Sequence, residues 1–468
     1  MQLAGAIALT LAALLTTTAR AEVPTAPPDI QALGRSLLKQ LVETNTTHAF
    51  GSTVAAEAVR ARLLEAGFPP ADVVVAIPPD HPTKGNVIVR LHGTGRKPPV
   101  LWIGHLDVVE APRADWTYDP FKLTEEGGWL YGRGTYDMKG DDAAMLAAII
   151  RLRREGWRPD RDIILALTAD EEAGGDADGV DWLLRTHRGL IDAALVINPD
   201  GGSAATRDGR RRYLIIQTAE KIFVTYQLEA TDKGGHSSEP TPANPIYRLA
   251  RVLARLDAFA FPIDLTATAK AYFRARAALE SGQMRADMLE AASATPSPAA
   301  LARLAANPEN ALYMRTTCVA TMIEGGQGES ALPERAKALI QCRVIPGEPT
   351  ASIQATLARV IDDPKVTVSI FTPETPSPES PPSPEVLVAV KRVVASMWPG
   401  LPVLPEMSAG ASDSAFTRQA GLPSYGVDGL FSDEDDDRAH GRDERISIQS
   451  FGEELEFTYR LMKTLSEG

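Results

Sequence analysis

Three short apolar runs, each broken off by polar residues, constrain this chain most. Val100-Leu101-Trp102-Ile103-Gly104 stops at His105, Ile163-Ile164-Leu165-Ala166-Leu167 leads to Asp170-Glu171-Glu172, and Ala194-Leu195-Val196-Ile197 leads to Asn198-Pro199-Asp200. Runs without alternation are strands buried on both faces, and helical stretches separate them, notably 143–154, which is apolar nearly all round. This pattern predicts an α/β fold: a mostly parallel sheet flanked by helices. Ligands of such sheets sit beyond the carboxyl ends of the strands, where these polar residues fall. Two earlier helices are expected over 30–43 and 54–66.

From residue 222 the texture changes. Strands are expected at 222–230, 313–323, 336–344 and 366–371, with helices at 244–259 and 350–361, the β-α-β-β-α-β order of a ferredoxin-like α+β unit. An Ala-rich helical insertion over 261–310 interrupts it after its first helix. Residues 372–384 hold six prolines in thirteen positions, too many for a helix or a central strand, and read as a linker. The chain therefore divides into a catalytic part over 22–217, an inserted domain over 218–372, a Pro-rich linker over 373–384 and a second catalytic part over 385–468.

The apolar segment 3–15 followed by Ala19-Arg20-Ala21 reads as a secretory signal cleaved after Ala21, with an uncleaved anchor as the alternative. The expected location is periplasmic or secreted. No later segment has 18 unbroken apolar residues, so no membrane role is expected of the mature form. With 48 Lys+Arg against 61 Asp+Glu, the net charge of −13 argues against nucleic acid as a partner. Two cysteines, Cys318 and Cys342, exclude a disulfide-rich scaffold and a four-thiolate zinc site. Both lie on strands expected to be antiparallel neighbours. An exported chain can oxidise them, but cross-strand geometry often refuses the bond, so their state stays open.

The residues left to explain are His105, Asp107, Asp137, Asp170-Glu171-Glu172, Asp200 and His440. Imidazole and carboxylate together serve a borderline cation such as zinc without cysteine. Two imidazoles and three carboxylates hold two metals if one carboxylate bridges, and a spare carboxylate then acts as base. Each signal alone has a plainer reading. A His-x-Asp at a strand end is commonly a local hydrogen-bonded pair, and an acidic triplet is commonly a solvated helix start.

Taken in order, GHLDVV (104–109), GRGTYDMKG (132–140), ADEEAGG (169–175), NPDGG (198–202), GGHSSEP (234–240) and AHGRDERI (439–446) resemble the di-zinc exopeptidase and deacylase family. That family includes carboxypeptidase S, glutamate carboxypeptidase, aminoacylase, and the acetylornithine and succinyl-diaminopimelate deacylases. The resemblance implies an enzyme with two Zn2+ per chain, Co2+ or Mn2+ being possible substitutes. It places His105 and Asp200 on one metal, Glu172 and His440 on the other, and Asp137 between them. Asp107 is implied to brace the far ring nitrogen of His105, and Glu171 to act as general base and acid. His236 matches a histidine that reaches the active site of a partner subunit and stabilises an oxyanion, which favours a homodimer through the inserted domain over the alternative of a monomer in which the insertion 261–310 stands in for the partner's lid. Arg343 matches an arginine that clamps a substrate carboxylate. Gly410-Ala411-Ser412-Asp413 resembles a substrate-side loop, with Gly410 as its supporting member. Ser330 stands near Leu332-Pro333 where the family often has Asn, a departure within the substrate-binding set. The family also carries a cis peptide after the bridging aspartate, here Asp137-Met138.

The implied activity is hydrolysis of an amide bond next to a free carboxylate, as carboxypeptidase or dipeptidase acting on a small peptide. An N-acyl-amino-acid deacylase using the same residues is the rival, and a non-catalytic peptide-binding protein the third reading. Other features take plainer readings. Residues 433–437 lack the spacing of an EF-hand and read as a solvated acidic loop. Asp141 and Asp142 read as caps of the following helix, and His48, His81, His92 and His187 as structural or exposed.

Overall fold

The computed structural model describes residues 23–175 and 177–467, so the segment expected to be a secretory signal ending at Ala21 lies outside the described residues. A ten-stranded sheet runs in the order Val73–Ala76, Asn86–Leu91, Ile163–Thr168, Val100–His105, Leu195–Ile197, Ser424–Val427, Arg210–Glu220, Ser203–Arg207, Phe431–Asp433, with Val403–Ser408 also paired to Arg210–Glu220. The four strands from Ile163–Thr168 to Ser424–Val427 are parallel to one another. Antiparallel pairs flank them on both sides. Every residue of Val100–His105 and Ile163–Thr168 is buried, which is why neither run alternates.

Helix Lys139–Arg154 lies on one face and buries every residue from Lys139 to Ile150. It is packed between helices Pro28–Glu43 and Ile448–Ser466. On the other face Val180, Trp182 and Leu183 of helix Gly179–Thr186 cover Leu101, Ile103, Ile164 and Val196. With both faces covered, only the strand ends remain open to a ligand. No described helix is long and apolar enough to cross a membrane.

At Lys221 the chain passes into a second, antiparallel sheet ordered Thr317–Gly325, Arg335–Val344, Ile222–Thr231, Val366–Thr372. This is the strand order of a ferredoxin-like unit. Arg335–Val344 alternates between exposed or half-buried and buried positions. Its inward residues share a core with Val224, Tyr226 and Leu228 and with Leu249, Ile353 and Leu357 of helices Pro245–Asp257 and Thr350–Ile361. Asn244 caps the first of these helices, its side chain accepting from the amides of Ile246 and Tyr247.

Four features differ from expectation or close what was open. The helical insertion packs not on the ferredoxin-like sheet but on the large one: Tyr272, Phe273, Met288 and Leu304 form a core with Leu404 and Tyr213. It thereby covers a strand that would otherwise be a sheet edge. Tyr313 and Met314 are not strand residues. They end helix Pro308–Met314, which Asn307 caps and Pro308 starts, and the strand begins at Thr317. The Pro-rich segment is no free tether, since Ser377 and Ser380 are buried. The Ser380 amide donates to Thr218 O (2.8 Å) and the Ser377 hydroxyl to Glu220 Oε1 (2.9 Å). Finally, Cys318 and Cys342 stand directly opposite in the antiparallel register and form a disulfide.

Candidate active site

The polar ends of the parallel strands meet at one place. His105, Asp137 and Glu172 bring ligand atoms within 4.8 Å of one another. His105 Nε2 lies 3.2 Å from Asp137 Oδ1, and His440 Nε2 lies 3.0 Å from Asp137 Oδ2 and from Glu172 Oε2. Each oxygen of Asp137 thus faces one imidazole, the disposition a bridging carboxylate needs. The Asp137–Met138 peptide is cis, as expected.

Neighbouring residues set this geometry. A side chain at Gly104 would meet Asp142 Oδ1 at 2.3 Å, so any larger residue before His105 has to displace the side chains packed beneath it. His105 Nδ1 lies 3.0 Å from the backbone oxygen of Asp107. As donor to that carbonyl it leaves Nε2 as the nitrogen facing Asp137. The brace expected from the Asp107 carboxylate is therefore corrected: its nearest oxygen is 3.8 Å from the ring. That carboxylate instead accepts the amides of Glu171 (3.2 Å) and Glu172 (3.1 Å). It holds the acidic turn, because two consecutive amides at a strand end need an acceptor.

Charge is concentrated here. Hydrogen bonds to Asp137 and Glu172 push His440 up to about 10. Burial alone would lower His105, but its bond to Asp137 and the charge of Glu171 raise it well above the usual imidazole range. Burial works against ionisation of Asp137, yet both histidines hold it below the usual carboxylate range. Asp200, in the turn Pro199–Gly201, is pushed up to about 8, first by burial and then by the Asp137 charge. Burial and the Asp200 charge raise Glu171 well above its ordinary value. Two imidazoles and four carboxylates crowded this way suit divalent cations, whose positive charge would relieve the repulsion among the carboxylates.

The other expected residues are placed as follows. His236 is exposed on a two-residue bridge, Gly235–His236 with Ala331–Leu332. Its Nδ1 accepts from the Ser238 amide at 3.2 Å, which leaves Nε2 to carry the proton. Ser330 contributes its carbonyl oxygen, which accepts from the Ser237 amide at 2.9 Å and holds that loop. The Arg343 guanidinium lies over the Phe223 ring at 5.0 Å, half-buried, and burial lowers its pKa. Gly410 is exposed and bonded only to the Ser408 hydroxyl at 2.9 Å among the described residues. Asp413 of the same loop is the member that approaches the site, its buried Oδ2 accepting from the Thr168 hydroxyl at 3.2 Å. Asp141 and Asp142 cap nothing. Helix Lys139–Arg154 has no side-chain cap; Asp142 lies beneath Gly104, and Asp141 clusters with Asp428 and Glu454 in the interior.

Two groups were not foreseen. Glu444, fully buried, accepts the amides of Gly134 (2.9 Å), Tyr136 (2.8 Å) and Asp137 (3.0 Å) and an Arg133 Nη1 bond of 2.6 Å. Arg133 also donates to the carbonyl oxygens of His440 and Gly441. This pair ties the Asp137 loop to the His440 loop some 300 positions away. The signal was present in both motifs, but as flanking residues. The second group is Lys84 and His48 on Asp170; His48 is exposed, as expected, but not idle.

A profile of Peptidase family M20/M25/M40 matches residues 101–464. The human protein named N-fatty-acyl-amino acid synthase/hydrolase PM20D1 is 27% identical over 387 residues, covering 78% of this chain and 74% of that protein. A Dictyostelium discoideum protein named probable carboxypeptidase S-like 2 is 26% identical and covers 78% of this chain and 71% of its own length. Among solved structures, the M20 family metallo-carboxypeptidase Sso-CP2 from Sulfolobus solfataricus shares the fold with a TM-score of 0.68 at 18% identity, over 92% of this chain and 98% of that one. The match spans every strand end that supplies the site, and the chain belongs to Peptidase family M20/M25/M40.

Proposed function

We propose that this chain is a di-zinc hydrolase that cleaves an amide bond next to a free carboxylate, as a carboxypeptidase or dipeptidase. The observation that carries this reading is Asp137 with one oxygen toward each histidine, His105 and His440. His105 and Asp200 would hold one cation, Glu172 and His440 the other, and Asp137 both. Bound there, two divalent cations polarise a carbonyl and make water acidic near neutral pH. The structural neighbour described as a dinuclear metal-binding M20 peptidase agrees with a pair of metals. Zinc is the choice for this nitrogen and oxygen donor set, with cobalt or manganese as substitutes.

The chain's own residues do the rest. Glu171 accepts the proton of the attacking water and passes it to the leaving nitrogen, a task for which a raised carboxylate is suited. Arg343, which has no carboxylate partner among the described residues, takes the free carboxylate of the substrate. His236, with its proton on Nε2, donates to the developing oxyanion of a partner subunit. The edge strand Thr317–Gly325 favours such a homodimer, since it is exposed along most of its length and presents Val319, Met322 and Ile323. Residues 1–21 and the Cys318–Cys342 disulfide favour a periplasmic or secreted location.

The second reading is hydrolysis of N-acyl amino acids, favoured by the name of the human relative. Turnover of glycyl-leucine and of N-acetyl-leucine by one zinc-loaded preparation, with and without chelator, separates the two. Preference for the dipeptide is expected. Chelator-resistant turnover, or turnover of neither compound class in a wider panel, rejects the proposal.

A further inference from the structure

The turn carrying the two glutamates is held in an unusual backbone conformation. Asp170 has φ +65°, the left-handed region that residues with a side chain seldom occupy. Its amide neighbours are fixed on three sides. Ala169 N donates to the buried Asn86 Oδ1 at 3.0 Å, Gly174 N donates to Asp170 O at 2.8 Å, and the Glu171 and Glu172 amides rest on Asp107. The Asp170 carboxylate, 1% exposed, is anchored separately. Its Oδ1 accepts from Lys84 Nζ and lies 3.0 Å from His48 Nδ1. Lys84 is itself 6% exposed, and its ammonium also donates to the His48 carbonyl oxygen at 2.8 Å. This lysine enters from the loop before strand Asn86–Leu91, so a single cation joins that loop, the His48 loop and the acidic turn.

The two glutamates depend on the turn unequally. Glu172 is pinned through its own carboxylate on His440. The Glu171 carboxylate has no hydrogen-bond partner among the described residues, and only burial and neighbouring charges act on it. Its aim is therefore set by the backbone, and the backbone torsion is set at Asp170. We propose that Lys84 is a positioning residue for Glu171: by clamping the Asp170 side chain it holds the left-handed turn that aims the general base, and His48 closes the clamp from the solvent side. The proposal rests on Glu171 being the base.

The test is Lys84→Met in the full chain, assayed with glycyl-leucine and N-acetyl-leucine at saturating zinc. Misaiming a catalytic group by about 1 Å costs on the order of 100-fold in rate, so kcat is expected to fall roughly 10- to 100-fold with KM within about twofold. Zinc content should stay close to the parent's, while the melting temperature falls because the Asp170 carboxylate is left buried without its cation. In the chelated protein, amide hydrogen exchange over residues 169–174 should quicken while the central strands remain protected. A purely structural lysine would lower the melting temperature without splitting kcat from KM. Parent-like kcat or parent-like exchange overturns the proposal, as does a loss confined to KM or to zinc content. If Lys84→Met does not fold, the double variant Lys84→Met/Asp170→Ala, which leaves no lone buried charge, carries the same measurements. Failure of both to fold makes Lys84 a determinant of folding and overturns the proposal too. Glu171→Gln run in parallel separates the two ideas: if it keeps turnover, the base assignment fails, whereas normal turnover of Lys84→Met beside an inactive Glu171→Gln removes only the clamp.

Discussion

Glu171 and Glu172 are neighbours with different surroundings, and their substitutions should differ in kind. Glu171→Gln keeps shape and removes the proton acceptor, so zinc content should persist while kcat falls by about 10²–10⁴. Glu172→Gln removes a charged partner of His440 and should lose metal, with excess zinc restoring part of the rate. Plasma mass spectrometry beside steady-state rates checks both, and loss of zinc from Glu171→Gln would reject its assignment as base. Glu444 offers a contrasting case, in which the carboxylate never meets substrate. Glu444→Ala strands the Arg133 guanidinium and three amides in the interior. Breaking a buried pair costs about 3–5 kcal/mol, so the variant should unfold at clearly lower denaturant and bind zinc poorly. Undiminished stability would show that the two loops are held by other means. These differences also mark what could be read from residue types alone. His105, Asp137, Glu172 and His440 were candidates on donor chemistry, but only the resemblance of six ordered motifs implied them as one ligand set. Glu444 and Lys84 were not legible, because a buried carboxylate or ammonium acts through partners that only the fold brings near.

Strands and the ferredoxin-like unit were legible for a related reason, since burial on two faces or on one leaves a direct imprint on hydrophobic pattern. The placement of the helical insertion was not. Its apolar face is filled by Leu404, about 90 positions beyond its last helix, and nothing local to the insertion records that partner. The prolines of 373–384 were read as a linker, yet a segment poor in amide donors still docks through its serines: the Ser377 and Ser380 hydroxyls and the Ser380 amide all donate to the large domain. The disulfide supports a prediction about the small sheet alone. It closes a loop of 24 residues, and loop-closure entropy assigns such a crosslink about 3 kcal/mol. Cys318→Ser/Cys342→Ser should therefore lower stability by about that amount while kcat of the folded fraction holds, because neither sulfur belongs to the His105–His440 site. Equal stability in chemical denaturation would mean the bond constrains little. The exposed bridge at His236 calls for a different measurement. Mixing inactive His236→Ala with inactive Glu171→Gln should restore part of the activity if the histidine acts in trans. Absence of restoration despite proven subunit exchange would place its action within one chain.

The molecule as a whole carries a net charge of −13, and part of that acid is folded inward, away from the metal site. Asp141, Asp428 and Glu454 lie buried within 4.8 Å of one another. Burial pushes Asp428 up to about 7, and burial followed by mutual repulsion raises Asp141 and Glu454 well above the carboxylate range. A carboxyl whose folded pKa exceeds its unfolded value binds more protons in the folded state. Its contribution to stability is therefore complete below the unfolded pKa near 4 and is lost as pH rises through the folded value near 7. The surface carboxylates Asp162, Asp363 and Asp436, lowered by arginine and amide hydrogen bonds despite some burial, act in the opposite sense and weaken the fold only as pH drops below about 4. Between pH 5 and 8 the inward cluster contributes to the slope beside the raised carboxyls of the active site, and a substitution within it isolates its share. Asp428→Asn keeps an acceptor for the Leu430 amide and removes the charge that must form at high pH. Each factor of ten in proton affinity is worth about 1.4 kcal/mol. The variant should therefore match the parent in urea midpoint at pH 5 and exceed it at pH 8, in chelator so that zinc does not enter the balance. A variant weaker than the parent at pH 8 would mean that the negative charge of Asp428 stabilises the interior, the reverse of what its surroundings imply.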